Sequence, residues 1–357
     1  MNEMKAAILE EFGKPLSLRT VPAPVLGTGE VLVDVVAAPV LPYAAEVFRG
    51  ERNYLLTLPV VPGAGAIGRV RETGPDATRL TRGDWVLCDP TIRSRDDALT
   101  PDITLQGLSA RGDGGLFLQR HYGRGAYAEQ LLLPTENAVP LGPLESAEAA
   151  RWAALTVCLV PYGGLLAAGL RAGETVLVSG GATGHFGSAA VAVALAMGAA
   201  CVVAPGRDEA ALADLERRFG ARVRTVRLTG DGDTDRLRRT APGPIDVVLD
   251  LLPPSAGPAP VRTAAMAVRE QGRIVLMGGV GDDLAVPYRW LMRNSITLRG
   301  QWMHPRTAPA SLIALARAGL LDLGQFTTTE FALDDIAAAL DHAETAPRRF
   351  ALTVVRP

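Results

Sequence analysis

The stretch VLVSGGATGHFGSAAVAV, Val176 to Val193, passes from β-branched residues through spaced glycines into an Ala-rich segment. It belongs to a longer alternation. The apolar runs ETVLVS, CVVAP, RVRTVRL, IDVVLDLL and GRIVLMGG are separated by helical segments such as DEAALADLERRFG and VRTAAMAV. Continuous apolar strands are buried on both faces, and a helix between successive strands is the crossover that parallel pairing requires. The chain therefore predicts an α/β fold with a doubly wound parallel sheet, beginning near residue 150 where AEAARWAALTVCLVPYGGLLAAG opens the pattern.

Gly181, Gly184 and Gly187 stand between a strand and a helix in that frame, with Ala182 replacing the first glycine of the strict Gly-x-Gly-x-x-Gly form. Glycines there allow a tight turn and let backbone amides approach a pyrophosphate at a helix N-terminus. A ligand-free turn with close helix–sheet packing uses the same glycines, but the βαβ context favours a dinucleotide cradle formed by Gly181, Ala182, Thr183, Gly184, His185, Phe186 and Gly187. After the second strand the sequence reads VVAPGRDEAAL. Pro205 and Gly206 occupy the place of the acid that would bond an adenosine ribose, and Arg207 suits an additional phosphate. Asp208, ahead of EAAL, reads as a helix N-cap. The expected cofactor is NADPH rather than NADH; an ordinary solvated side chain is the other reading of Arg207.

Before this region, up to about Val139, the short runs EVLVDVVAAPV, GAIGRVRETG, GDWVLCDP and AEQLLLP are punctuated by Gly, Pro and Asp, as in a β-rich domain. Within it, Thr91 to Gly115 reads as a long polar surface excursion. With 36 basic against 38 acidic residues, nothing favours nucleic acid as a partner. Cys88, Cys158 and Cys201 are too few and too scattered for a disulfide framework, which fits a reducing compartment. The N-terminus lacks the basic and apolar regions of a secretory signal. The apolar run Ala189 to Ala204 falls short of a membrane span and reads as a buried helix followed by a buried strand. A cytoplasmic location without membrane association is expected.

Taken in order, GDWVL, GRGAYAEQLLLP, GETVLVSGGATGHFG, IDVVLDLL, GRIVLMGG and FALDDIAAALDHAE resemble the medium-chain dehydrogenase/reductase superfamily over nearly the whole chain. The resemblance implies a GroES-like catalytic domain built from both chain ends, residues 1–149 and 296–357, with a Rossmann domain at 150–295 and the cofactor in an interdomain cleft. It also implies that Gly278, Gly279 and Val280 border the nicotinamide. By the same resemblance Trp302 lines the substrate pocket, although a core or subunit-interface role fits it equally, and NSITLRGQW resembles an edge strand through which family members form homodimers. Zinc-dependent members carry Cys, His and Glu where this chain has Leu41, Ala64 and Gly65, and the cysteines of their structural zinc lobe have no counterpart. Those side chains offer no donor atoms, so no metal is expected.

Without zinc, charge developing during hydride transfer must be met by hydrogen-bond donors or water. Tyr43 and Tyr54 are the candidate donors, and packing roles fit each of them as well. His121 and His304 could approach the cleft, His185 would act through its backbone, and His342 is expected to be exposed. The resulting expectation is a zinc-independent, NADPH-dependent reductase of an activated C=C or C=O group in a small-molecule substrate. A metal-free alcohol or polyol dehydrogenase is one alternative, and a noncatalytic NADPH-binding scaffold is another.

Overall fold

The computed structural model describes residues 3–357. The chain forms two compact units: one comprises residues up to Thr156 together with Leu323–Pro347 and Ala351–Pro357, the other Val157–Asp322 with Arg348–Phe350.

In the first unit a seven-stranded sheet runs in the order Ala138–Pro140, Trp85–Cys88, Ala66–Thr73, Glu30–Val40, Ala351–Arg356 and Thr327–Ala332, with Gln130–Pro134 also pairing with Glu30–Val40. The central strand Glu30–Val40 is almost wholly buried because other strands engage both its edges and two register shifts bend it. Ala351–Arg356 enters antiparallel to that strand, so the C-terminus completes the N-terminal sheet, as expected. Thr91 to Gly115 departs from the expected surface excursion. Thr91–Arg93, Ile103–Leu105 and Ser109–Arg111 form a three-stranded meander that leads into the helix Gly112–His121. Ile92, Thr104, Gln106 and Leu108 are buried there, and the exposed residues gather at 95–100 and at 111–113, where the last strand meets the helix.

In the second unit six parallel strands lie in the order Val223–Arg227, Cys201–Gly206, Thr175–Ser179, Val247–Asp250, Arg273–Leu276 and Thr297–Gly300. Numbered along the chain this is 3-2-1-4-5-6, the Rossmann order, and it places the switch point between the first and fourth strands. Leu177, Val203, Val248 and Ile274 share one buried cluster with Leu237 and Ala264 from the covering helices. Expected and observed boundaries differ. Thr297–Gly300 is the sixth strand of this sheet and Ala308–Arg317 is a helix of the same unit, so the return to the first unit begins at Leu323, not at 296. The first boundary falls after Thr156 instead of 149. Residues 348–350 form a further return that the sequence did not indicate.

One helical stretch among the described residues, Ser146–Ala167, is long and apolar enough to cross a membrane, but 78% of its most apolar window is buried inside the fold, as in a core helix. The run Ala189 to Ala204 resolves into the buried helix His185–Ala196 and the buried strand Cys201–Gly206.

Candidate active site

The glycine turn is built by contacts that exclude side chains. Gly180 has φ +92°, and its carbonyl accepts hydrogen bonds from the N–H groups of Thr183 and Gly184 at 3.1 and 3.0 Å. A Cβ on Gly187 would lie 2.1 Å from the Gly180 oxygen, so that glycine lets the helix His185–Ala196 press against the end of the first strand. Gly184 differs. A Cβ there would meet nothing closer than 3.5 Å, and as N-cap it carries no side chain to close the helix end. The positive end of the helix dipole is thus open to an anion. Gly180, absent from the expected set, supplies the left-handed turn that the strict motif assigns to its first glycine; the doublet Gly180-Gly181 was the available signal.

At the end of the second strand a Cβ on Gly206 would come within 2.8 Å of the buried Ala182 Cβ. Packing therefore forbids a carboxylate at this position. Asp208 is committed elsewhere, accepting hydrogen bonds from the N–H groups of Ala210 and Ala211 at 2.9 and 3.3 Å as the N-cap of Glu209–Phe219. Arg207 is exposed and lines a cavity of about 210 Å³ with Ser179, Thr183, Pro205, Leu252 and Pro253. That volume is below the roughly 300–1,000 Å³ of drug-sized sites and fits one end of a dinucleotide. Arg349 adds a second cation, donating to the Ala182 carbonyl at 3.3 Å, while Phe350 N–H donates to Ser188 Oγ at 3.3 Å. Nothing local in the sequence marked that segment.

Gly278 and Gly279 follow the fifth strand. A Cβ on Gly278 would lie 2.4 Å from Asp250 Oδ2, and one on Gly279 would lie 2.8 Å from Pro254 Cδ. Val280 and Asp250 border a second cavity of about 130 Å³. Asp250, at the end of the fourth strand, is 3% exposed. Ser179 and the N–H groups of Leu252 and Gly278 hydrogen-bond to its carboxyl, yet burial dominates and pushes its pKa up to about 6. Its Oδ1 has no partner. Sequence reading missed this residue, whose burial arises only once the sheet is assembled.

Tyr43 and Tyr54 are brought together in the first unit, their rings edge-on with centroids 6.3 Å apart. The Arg52 guanidinium lies 4.3 Å from the Tyr43 ring centroid and its Nε donates to Glu46 Oε2 at 2.8 Å. Burial raises the Tyr43 phenol well above its ordinary range, a hydrogen bond with Tyr54 adds to this, and Arg52 opposes it. The group is a neutral phenol at working pH, a donor and not a base.

The histidines separate. His185 is buried and packs edge-on against Phe186. His304 is buried, its Cβ 2.8 Å from where a Cβ on Gly163 would lie, and its Nδ1 is 3.2 Å from the Pro305 carbonyl oxygen. His121 contacts Glu30, not the tyrosine pair. His342, expected to be exposed, is half-buried, with Nδ1 2.9 Å from Thr353 Oγ1. Trp302 is 41% exposed beside the edge strand Thr297–Gly300, whose four residues are all exposed, and lines neither cavity of its unit described above.

Comparison with known proteins gives concordant results. Residues 27–143 match the family described as alcohol dehydrogenase GroES-like domain, and residues 186–317 match zinc-binding dehydrogenase. An alcohol dehydrogenase of Rhizobium meliloti is 30% identical, covering 83% of each chain. The NAD-dependent alcohol dehydrogenase of Sulfurisphaera tokodaii is 26% identical, covering 96% of each. A solved structure of the cobalt- and zinc-bound thermostable alcohol dehydrogenase from Pyrobaculum aerophilum is 25% identical and aligns over all of both chains with a TM-score of 0.76.

The donor set of this chain does not fit such a metal. Leu41, Ala64 and Gly65 present no donor atoms. Cys158 lies fully buried in the helix Ala154–Ala167, a single thiol where a tetrahedral site needs several donors. Among the described residues no three His, Cys, Asp or Glu side chains are grouped to hold an ion. The glycine turn, the Rossmann order, the GroES-like sheet closed by the C-terminus and these matches agree: the chain belongs to the medium-chain dehydrogenase/reductase superfamily and is an NAD(P)-dependent oxidoreductase.

Proposed function

We propose that this protein is a metal-independent, NADPH-using reductase of a carbonyl group. The carrying observation is the Tyr43–Tyr54 pair under Arg52, a neutral phenolic donor in a chain whose positions 41, 64 and 65 hold no metal ligands. A bound nicotinamide supplies the hydride to the carbonyl carbon. Tyr43 or Tyr54 donates a hydrogen bond to the substrate oxygen and then its proton, which solvent replaces, so that ketone or aldehyde becomes alcohol. Held neutral by burial, the Tyr43 phenol can donate a hydrogen bond to the oxygen on which charge develops when hydride reaches a carbonyl carbon. The named alcohol dehydrogenase relatives support oxygen-bearing substrates of this class. Reduction of an activated C=C is the second reading: there the conjugated oxygen takes the charge, and a hydroxyl donor meets it without a metal.

Tyr43→Phe and Tyr54→Phe, assayed singly with NADPH against panels of ketones, aldehydes, enones and quinones, are expected to lower kcat at least tenfold for one or both positions, with NADPH affinity unchanged. Full activity in both variants would remove the pair from the mechanism. Turnover confined to enones and quinones selects the second reading.

Cofactor preference rests on the absence of an acid at Gly206 and on the exposed Arg207. Arg207→Ala is expected to weaken NADPH binding about tenfold and NADH binding by less than twofold. Equal losses, read by fluorescence titration, would overturn the choice of NADPH.

A further inference from the structure

A groove of about 540 Å³ opens in the first unit and shares no residue with the nucleotide cavity. Its size lies within the roughly 300–1,000 Å³ of small-molecule sites. Arg120, His121 and Arg124 stand on its lining together with apolar Pro22, Val25 and Pro59, and no aspartate or glutamate lines it.

The walls are fixed in advance. Gln119, 4% exposed, accepts from Thr57 N–H at 3.2 Å and donates to the Thr57 carbonyl at 3.0 Å. Gln106, 2% exposed, donates to the carbonyls of Arg124 and Leu132, both at 2.9 Å. Arg124 uses Nη1 to hold the Pro22 carbonyl at 2.5 Å. Arg120 is exposed, its guanidinium 5.3 Å from the Phe117 ring centroid. The Gln106, Gln119 and Arg124 part of the wall therefore requires little ordering when a ligand arrives.

Behind the rim lies Glu30, whose side chain is 6% exposed. Its Oε2 accepts from Gly27 N–H at 2.8 Å, and its Oε1 accepts from His121 Nε2 at 2.5 Å and from the Tyr122 hydroxyl at 3.2 Å. A carboxylate is acceptor-only, so Nε2 carries its proton, and the imidazole is oriented by Glu30 and by an edge-on contact with Tyr122 at 4.6 Å. The acid that could oppose an anion is thus engaged inside the protein, while Arg120 and Arg124 remain among the lining residues.

We propose that this groove binds a small organic anion, a carboxylate carried on an apolar body, with Arg120 and Arg124 at the head group and Pro22, Val25 and Pro59 along the body. Guanidinium groups match carboxylate geometry, and the proline-rich wall takes up the rest.

Isothermal titration of the intact protein, with NADP⁺ saturating, tests this with hexanoate, its neutral counterpart hexanamide and inorganic phosphate as probes. Hexanoate is expected to bind saturably, with hexanamide and phosphate each at least tenfold weaker. Arg120→Gln with Arg124→Gln is expected to weaken hexanoate at least tenfold while NADP⁺ affinity stays unchanged. Because Arg124 also anchors Pro22, the single Arg120→Gln variant is measured too, with an expected loss of at least threefold. Hexanamide or phosphate binding as tightly as hexanoate, Arg120→Gln retaining wild-type affinity, or no hexanoate binding up to about 10 mM would each overturn the proposal.

Discussion

Gly187→Ala is expected to cost at least a hundredfold in NADPH affinity, about 2.7 kcal/mol, and to lower the melting temperature as well. The added methyl would sit 2.1 Å from the Gly180 oxygen and 2.5 Å from its carbonyl carbon, both backbone atoms that move only if the helix His185–Ala196 leaves the strand end. Overpacking of this kind typically destabilises by roughly 1–3 kcal/mol. Gly184→Ala is the informative partner. Its backbone is already extended, and its Cβ would meet nothing within 3.5 Å, so the unliganded fold should lose no more than about 1 kcal/mol. A pyrophosphate resting on this turn needs that space. Gly184→Ala should therefore weaken NADPH binding at least tenfold with little change in melting temperature. Unchanged affinity in Gly184→Ala would mean that the turn serves packing alone.

The two glycines also show what the sequence could and could not disclose. The parallel sheet was legible because buried strands such as Val247–Asp250 and Thr175–Ser179 are short unbroken apolar runs with helices between them. The edge strand Thr297–Gly300, read from the resemblance alone, has four exposed residues and no apolar run to tie it to the parallel sheet, which it nevertheless joins beside Arg273–Leu276. Thr91–Arg93, Ile103–Leu105 and Ser109–Arg111 have three residues each, too few for any period, and Thr104 and Gln106 are polar residues buried by hydrogen bonding. Hydropathy reads such a meander as loop. Residue type sufficed where local backbone decides the role, as at Asp208, whose N-cap place is the expected one. It failed where distant segments converge: Arg349 reaches Ala182 across 167 positions, and only the assembled sheet buries Asp250.

Asp250 is where that assembly should be measurable as a pH dependence. Its carboxyl rises from 3.8 to about 6 on folding because burial outweighs the hydrogen bonds from Ser179, Leu252 and Gly278. A raised carboxyl pKa means that the unfolded chain ionises first. The favourable contribution is complete below about pH 3.8, declines as pH rises towards 6, and is gone above it. At about 1.4 kcal/mol per unit the full change is about 3 kcal/mol. Asp250→Asn does not titrate, retains one oxygen as acceptor, and places an amide nitrogen where Oδ1 now has no partner. Chemical denaturation of both proteins from pH 4 to 8 should show wild type losing about 2.4 kcal/mol relative to the variant, most of it between pH 4 and 6. A constant difference across that range would show that the carboxyl is not held in a charge-disfavouring site. The same ionised oxygens accept from the N–H groups that shape the Leu252 and Gly278 loops. Above pH 6 the wild-type protein therefore keeps a buried negative charge at the carboxyl end of its sheet, a cost in stability that holds together the loops at Leu252 and Gly278.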